Sequence, residues 1–94
     1  MSYKSSFSTE DIDKLFEAFL KIKTKEEFYR VFEDLCTINE INDMALRLKV
    51  ANMLKNKMSF QEISNATKAS TATISRVSKA LNYGAKGYDI ITDK

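Results

Sequence analysis

Apolar residues recur at helical spacing along most of the chain. Ile12, Leu15, Phe16, Phe19 and Leu20 stand at i, i+3, i+4, i+7 and i+8, which makes one stripe on a helix. Phe28, Val31, Phe32 and Leu35 repeat the spacing. Each stripe follows a pair that can cap a helix start, Ser8 with Asp11 and Thr24 with Glu27. A third pair, Thr37 with Glu40, precedes Ile41, Met44, Ala45, Leu48, Ala51, Met53 and Leu54, with Leu46 and Val50 on another side. A helix apolar on so much of its circumference is predicted to be central and packed on several sides. The pattern leaves open whether it runs straight to Asn56 or bends near Asn42–Asp43. Ser59 with Glu62 opens a short segment from Phe60 to Thr67, and a fifth helix begins after Ser70 and runs to about Asn82. Asn82-Tyr83-Gly84 suits a C-terminal cap. Residues 85–94, with Tyr88, Ile90 and Ile91, fit a short docked helix or a tail packed on a partner subunit.

Composition supports an all-α fold. The chain has no proline, and its two glycines, Gly84 and Gly87, stand near the C-terminus, so a long stretch contains neither helix breaker. Ninety-four residues make one small domain, marginal as a lone monomer. The expected organisation is N-terminal helices over 8–57, a helix-turn-helix over 59–82 and a tail over 83–94. There is no histidine and one cysteine, Cys36, which removes most metal sites, histidine-dependent triads and any intrachain disulfide. No carboxylate pair is persuasively placed for acid–base chemistry, so an enzyme is the least favoured class. Cys36 reads as a small buried residue, Met44, Met53 and Met58 as core filler, and Phe16, Phe19, Phe28 and Phe32 as dimer core. Met1 to Ser8 is polar, and no apolar run approaches the roughly 20 residues of a membrane span. With the lone cysteine, this gives the expectation of a cytoplasmic protein with no membrane partner.

The net charge of +2 conceals an asymmetry. Residues 1–43 carry six basic and ten acidic side chains, whereas residues 44–94 carry nine and three. Between Met44 and Leu81 the sole acid is Glu62, against seven lysines and arginines. The second half is thereby suited to a polyanion.

Ser59 to Leu81 has the spacing of a helix-turn-helix: short helix, tight turn at Lys68–Ser70, second helix. Ile63 and Ala66 are expected to face inward, Ala69 to plug the turn, and Ile74 and Val77 to anchor the second helix. Thr71, Ala72, Thr73, Ser75, Arg76, Ser78 and Lys79 are left as its exposed surface. Eight Ser or Thr lie between Ser59 and Ser78. Those residues are poor interior helix formers, so a merely solvated helix is the weaker explanation. Small, hydroxyl-bearing and basic side chains suit close approach to base edges and phosphates in a major groove.

The run Met58-Ser-Phe-Gln-Glu-Ile-Ser-Asn-Ala-Thr-Lys-Ala-Ser-Thr-Ala-Thr-Ile-Ser-Arg-Val-Ser-Lys-Ala-Leu81 resembles the DNA-binding half of the Trp repressor superfamily. With Asn82-Tyr83-Gly84, Gly87-Tyr88, the segment Asp34 to Ile41 and Arg47 to Ala51, it is most similar to the Trp-repressor-like YerC/YecD group. The resemblance implies an intertwined, all-helical homodimer, with the helices over 8–57 as its shared dimer core, and a DNA-binding transcriptional regulator that acts as a repressor. Its two helix-turn-helix units would read double-stranded DNA in successive major grooves, about 34–36 Å apart. It implies base-proximal positions for Thr71, Ala72, Thr73 and Ser75, phosphate contacts for Gln61, Lys68 and Lys79, and either role for Arg76.

Departures from the family pattern bear on cofactors. Of the two arginines that sandwich the tryptophan corepressor in the Trp repressor proper, the second matches Arg76. The first falls at Leu46, and only a one-residue shift brings in Arg47. The following glycine is Val77 here, and a ligand-binding serine is Ala80. A shift is also needed to bring Thr37 onto a carboxylate-binding threonine. Thr37, Arg47 and Arg76 are therefore weak cofactor candidates, and the expectation is that tryptophan does not bind and no cofactor is required. Lys68 replaces a usual glycine and Ser64 a usual alanine. If residue 68 is left-handed, lysine costs on the order of 1 kcal/mol there; a remodelled turn is the other possibility. The rival functions are a helical protein-interaction module and a small-molecule sensor acting through a partner.

Overall fold

The computed structural model describes residues 3–93. They form α1 (Glu10–Phe19), α2 (Lys25–Leu35), α3 (Ile38–Lys55), α4 (Phe60–Thr67), α5 (Thr71–Tyr83) and α6 (Gly87–Ile91), with no strand among the described residues. The chain divides into two compact units, one ending at Thr37 and one beginning at Ile38.

In the first unit the cap of α1 is Thr9, one residue later than the sequence pattern predicts. Its side-chain oxygen accepts the Ile12 N–H at 3.1 Å, while the Ser8 hydroxyl donates to Asp13 at 3.1 Å. Two adjacent hydroxyl residues compete for the position, and the one in extended backbone directly before Glu10 takes it. Thr24 caps α2 as expected, through the Glu27 N–H at 3.1 Å. The Glu27 carboxylate, however, accepts from the Lys23 N–H at 2.7 Å. Phe19 stacks on Phe32 with ring centroids 5.5 Å apart, and Phe16 and Phe28 extend the row at 6.3 and 6.1 Å. Yet no residue of α1 or α2 is buried. Phe16, Leu20, Phe28 and Leu35 remain exposed, Leu20 by 78%. Cys36 is half-buried rather than buried.

In the second unit α3 runs unbroken through Asn42–Asp43 to Lys55. Val50 and Ala51 from α3 meet Ile63 from α4, Ala69 from the turn, and Ile74 and Val77 from α5; all six are at most 4% exposed. Leu46, Met53, Leu54, Met58, Leu81 and Tyr88 pack around them. The expected multi-sided packing of α3 is thus concentrated in its C-terminal half. Met44 and Ala45 nearer its start are exposed.

The end of α5 and the residues beyond it resolve the two readings of the C-terminal stretch. Gly84 caps α5 in extended backbone, not left-handed, with its N–H donating to the Ala80 carbonyl at 2.9 Å. Glycine is required there by space: a Cβ would lie 2.4 Å from the Ala80 carbonyl oxygen. Beyond it a short helix docks on α3. Tyr88 packs against the core, Lys55 pairs with Asp89 at 2.9 Å and donates to the Thr92 hydroxyl at 2.8 Å, and the Asp93 N–H donates to the Asn52 side chain at 2.8 Å. The hydrogen bond from Lys55, with its charge, holds the Asp89 carboxyl below the usual aspartate range.

Among the described residues, the non-glycine positions with positive φ are all lysines: Lys57 (69°), Lys68 (64°) and Lys86 (68°). A left-handed residue of this kind costs roughly 1–2 kcal/mol. Lys57 and Lys68, next to the C-termini of α3 and α4, recover part of it, about 0.3–1 kcal/mol, from the helix dipole, whereas Lys86 is the N-cap of α6 and does not.

Gly84→Ala should lower stability by ~1–3 kcal/mol, because the helix end must shift to admit the new methyl. Gly87→Ala, whose Cβ meets nothing within 4 Å, should be neutral or stabilising by up to ~1 kcal/mol. Urea unfolding of the two variants beside the wild type measures both.

Candidate nucleic-acid interface

The local sequence fixes both ends of the short helix α4. Ser59 accepts the Glu62 N–H on its hydroxyl at 3.1 Å, and the Glu62 carboxylate accepts the Ser59 N–H at 2.8 Å, a complete capping box. The Ser59 backbone N–H, and secondarily its hydroxyl, hold the Glu62 carboxyl below the usual glutamate range. The lone acid between Met44 and Leu81 is therefore engaged in a cap.

The turn keeps the left-handed geometry instead of remodelling around lysine: Lys68 has φ 64° and ψ 10°, and its N–H donates to the Ser64 carbonyl at 2.9 Å. Side chains lock it. The Thr67 hydroxyl donates to the Ile63 carbonyl at 2.7 Å and accepts the Ala69 N–H at 3.1 Å. The Ser64 hydroxyl donates to the Ala69 carbonyl at 3.3 Å, so serine at this position adds a bond that alanine cannot make. Ala66, expected to face inward, is exposed, and Thr67 occupies the half-buried inward position. The reason is spacing: from Ile63 the buried direction of a short helix returns at i+4, which is Thr67. Thr67 is the structural residue that sequence reasoning missed. A threonine four residues after a core isoleucine, at the last turn of a helix, is the signal that marks it.

Ser70 caps α5 through the Thr73 N–H at 3.1 Å, and its hydroxyl donates to the Thr73 hydroxyl at 3.1 Å. Ile74 and Val77 are buried, which fixes the rotation of the helix. Thr71, Ala72, Ser75, Arg76 and Lys79 are exposed and form one outer stripe at i, i+1, i+4, i+5 and i+8. Thr73 and Ser78, expected on the surface, are half-buried on its flanks. Gln61 is exposed on α4, hydrogen-bonded to Asn65 at 3.2 Å, and Lys68 is exposed in the turn. None of Lys68, Arg76 and Lys79 takes part in an ion pair formed among the described residues.

Of the three cofactor candidates, Arg47 and Arg76 do not share a pocket. Arg47 lines an apolar cleft of about 480 Å³ with Met44, Leu48, Ala80, Tyr88 and Ile91. Arg76 is not part of its wall but lies on the outer stripe of α5, and Thr37 belongs to the other compact unit. Among the described residues no group of three or more His, Cys, Asp or Glu is placed to hold a metal ion. No described helix is long and apolar enough to cross a membrane.

Residues 10–94 match the family model described as Trp repressor protein. The chain is 50% identical over 84 residues to the YerC protein of Bacillus subtilis (strain 168), an alignment covering 89% of this chain and 81% of that one. Among solved structures, a TrpR-like protein from Eubacterium eligens ATCC 27750 aligns with TM-score 0.83 and 44% identity, over 92% of this chain and 95% of that one. A candidate Trp repressor from Staphylococcus aureus aligns with TM-score 0.83 and 43% identity, over 89% and 84%.

Thr67→Val preserves shape but strips both hydrogen bonds from the turn and leaves the Ala69 N–H without its acceptor. It should cost about 1–3 kcal/mol in chemical denaturation, against less than ~1.5 kcal/mol for Ser64→Ala, whose bond is longer.

Proposed function

The chain belongs to the Trp repressor family, and from that premise we propose that it is a homodimeric transcriptional regulator, a repressor, that binds duplex DNA sequence-specifically through α4, the turn and α5. The observation that carries this is the outer stripe of α5. It holds hydroxyls, a methyl and two unpaired cations, with no acid, on a helix whose rotation the core fixes. In such an arrangement α5 enters the major groove while α4 crosses the strand backbone. Thr71, Ala72 and Ser75 meet base edges, and Arg76 reaches either a guanine edge or a phosphate. Gln61, Lys68 and Lys79 meet phosphates, and the two lysines give the affinity its salt dependence through counterion release. Thr73 acts by holding the first turn of α5 at its set angle, since its hydroxyl is bonded to Ser70.

Dimerisation is supported by the first unit. Its rings and leucines lie on one stripe of each helix, and none is buried within a single chain. A second copy supplies the missing cover, and it also relieves the marginal size of a lone 94-residue domain. The regulator acts where DNA is, in the cytoplasm of a bacterial cell. We propose further that tryptophan is not its corepressor. The wall of the Arg47 cleft has Ala80 where the family's ligand-binding serine stands, and Arg76 lies outside it.

Selection of bound duplexes from random DNA should yield a defined two-fold site. On it, Arg76→Ala should weaken binding by about 1–3 kcal/mol in a gel-shift titration. Absence of any enriched site, with unaltered binding by Arg76→Ala, would favour a protein-docking role. Tryptophan at millimolar concentration should leave the Tm unchanged; a rise would restore it as a ligand.

A further inference from the structure

Lys57 sits between α3 and α4 and is one of the three lysines held at positive φ, while neither glycine of the chain occupies such a position. Conformation alone favours glycine or asparagine there. A lysine there carries a backbone cost, and its surroundings indicate what its side chain does. Lys57 lines a cleft of about 290 Å³ whose polar wall is formed with Lys55, Ser78, Asn82 and Asp89 and whose floor includes Leu54 and Leu81. Asp89 is the acid of this cleft, and its charge is matched by Lys55 at 2.9 Å. Lys57 joins no ion pair among the described residues and leaves the cleft with a net positive charge. Asn82, whose amide donates to the Ser78 carbonyl at 3.0 Å, keeps further polar capacity beside it.

The position of the cleft matters as much as its charge. Ser78 and Asn82 lie three residues beyond Ser75 and Lys79, so the cleft flanks the outer stripe of α5. A helix lying in a major groove has a phosphate backbone along its flank. We propose that Lys57, with Ser78 and Asn82, seats a phosphate of the DNA strand running beside α5, and that the left-handed backbone at Lys57 is what brings its amine there. This rests on the DNA-binding role of α4 and α5 and adds a phosphate seat that combines the far end of α5 with Lys57, a residue outside the helix-turn-helix motif. The chemistry is that of a phosphate group, and the site is assigned to DNA rather than to the free ion.

The test is fluorescence anisotropy of a selected duplex over a series of KCl concentrations, with wild type, Lys57→Asn, Lys57→Arg and Lys86→Asn. Asparagine tolerates the left-handed backbone and removes the charge, and Lys86 is the left-handed lysine that does not line the cleft. Lys57→Asn should bind roughly 3- to 10-fold more weakly near physiological salt, with the log–log salt slope shallower by about 1 for each phosphate no longer neutralised. Lys57→Arg should keep the wild-type slope, and Lys86→Asn should leave slope and affinity alone. Both Asn variants should melt at or slightly above the wild-type Tm, which separates a missing phosphate partner from a damaged fold. A wild-type slope in Lys57→Asn overturns the seat while leaving the DNA-binding role intact. If in addition millimolar inorganic phosphate raises the Tm of wild type but not of Lys57→Asn, the cleft takes the free ion. A wild type that shows no competitor-resistant duplex binding overturns the DNA-binding role, and the seat with it.

Discussion

The angle of α5 is set by one small apolar cluster. Val50 and Ala51 from α3, Ile63 from α4, Ala69 from the turn, and Ile74 and Val77 from α5 converge in it. Each large side chain there contributes about 1.5–3 kcal/mol by burial, an upper figure because the unfolded chain already hides part of that surface. Because α5 is anchored at Ile74 and Val77, the side chains between and beyond them have no freedom to choose a face. Thr71, Ala72, Ser75, Arg76 and Lys79 are outside because those two are inside. Ala69 is central to the arrangement: its small side chain fills the turn while its N–H and carbonyl are held by Thr67 and Ser64. The exposed stripe of α5 is thus fixed by packing on its opposite side, and the polar residues of the turn hold that packing in place.

Much of this was legible in the residues. The Ser59–Glu62 box and the Ser70 cap place both ends of α4 and the start of α5, because hydroxyl and carboxylate at that spacing have few other uses before an apolar helix. What escaped the pattern did so for identifiable reasons. Ser8 and Thr9 are equivalent by composition, and only the backbone decides between them. Ala66 and Thr67 both fall near the inward side of α4, and periodicity over eight residues does not separate them. Gly84 invited a left-handed cap, whereas its role is to leave room for a carbonyl. Thr73 and Ser78 lie at the margins of the buried face, where a polar residue type says little about exposure. The lysines at positive φ carried no sequence signal except at Lys68, where the family resemblance supplied one.

The two compact units divide the physical problem. The unit beginning at Ile38 buries a core, carries most of the positive charge and presents the stripe of α5. The unit ending at Thr37 has no buried residue in α1 or α2, although Phe16, Phe19, Phe28 and Phe32 contact one another in a row. An amphipathic pair of helices with an uncovered stripe is stable only when something covers it. The acid-rich composition of that half keeps the other faces solvated and away from a polyanion. The uncovered apolar stripes and the basic helix surface thus lie in different parts of the sequence, and the net charge of +2 of the whole chain hides the division.

The central claim is that the outer stripe of α5 is the surface that meets DNA. Backbone amide chemical shifts of the labelled protein, followed as a selected duplex is added, test it most directly. The largest changes should fall between Lys68 and Lys79 and be absent when a duplex of the same composition but scrambled order is used at equal concentration and salt. Changes confined to α1 and α2, or equal changes with both duplexes, would contradict it.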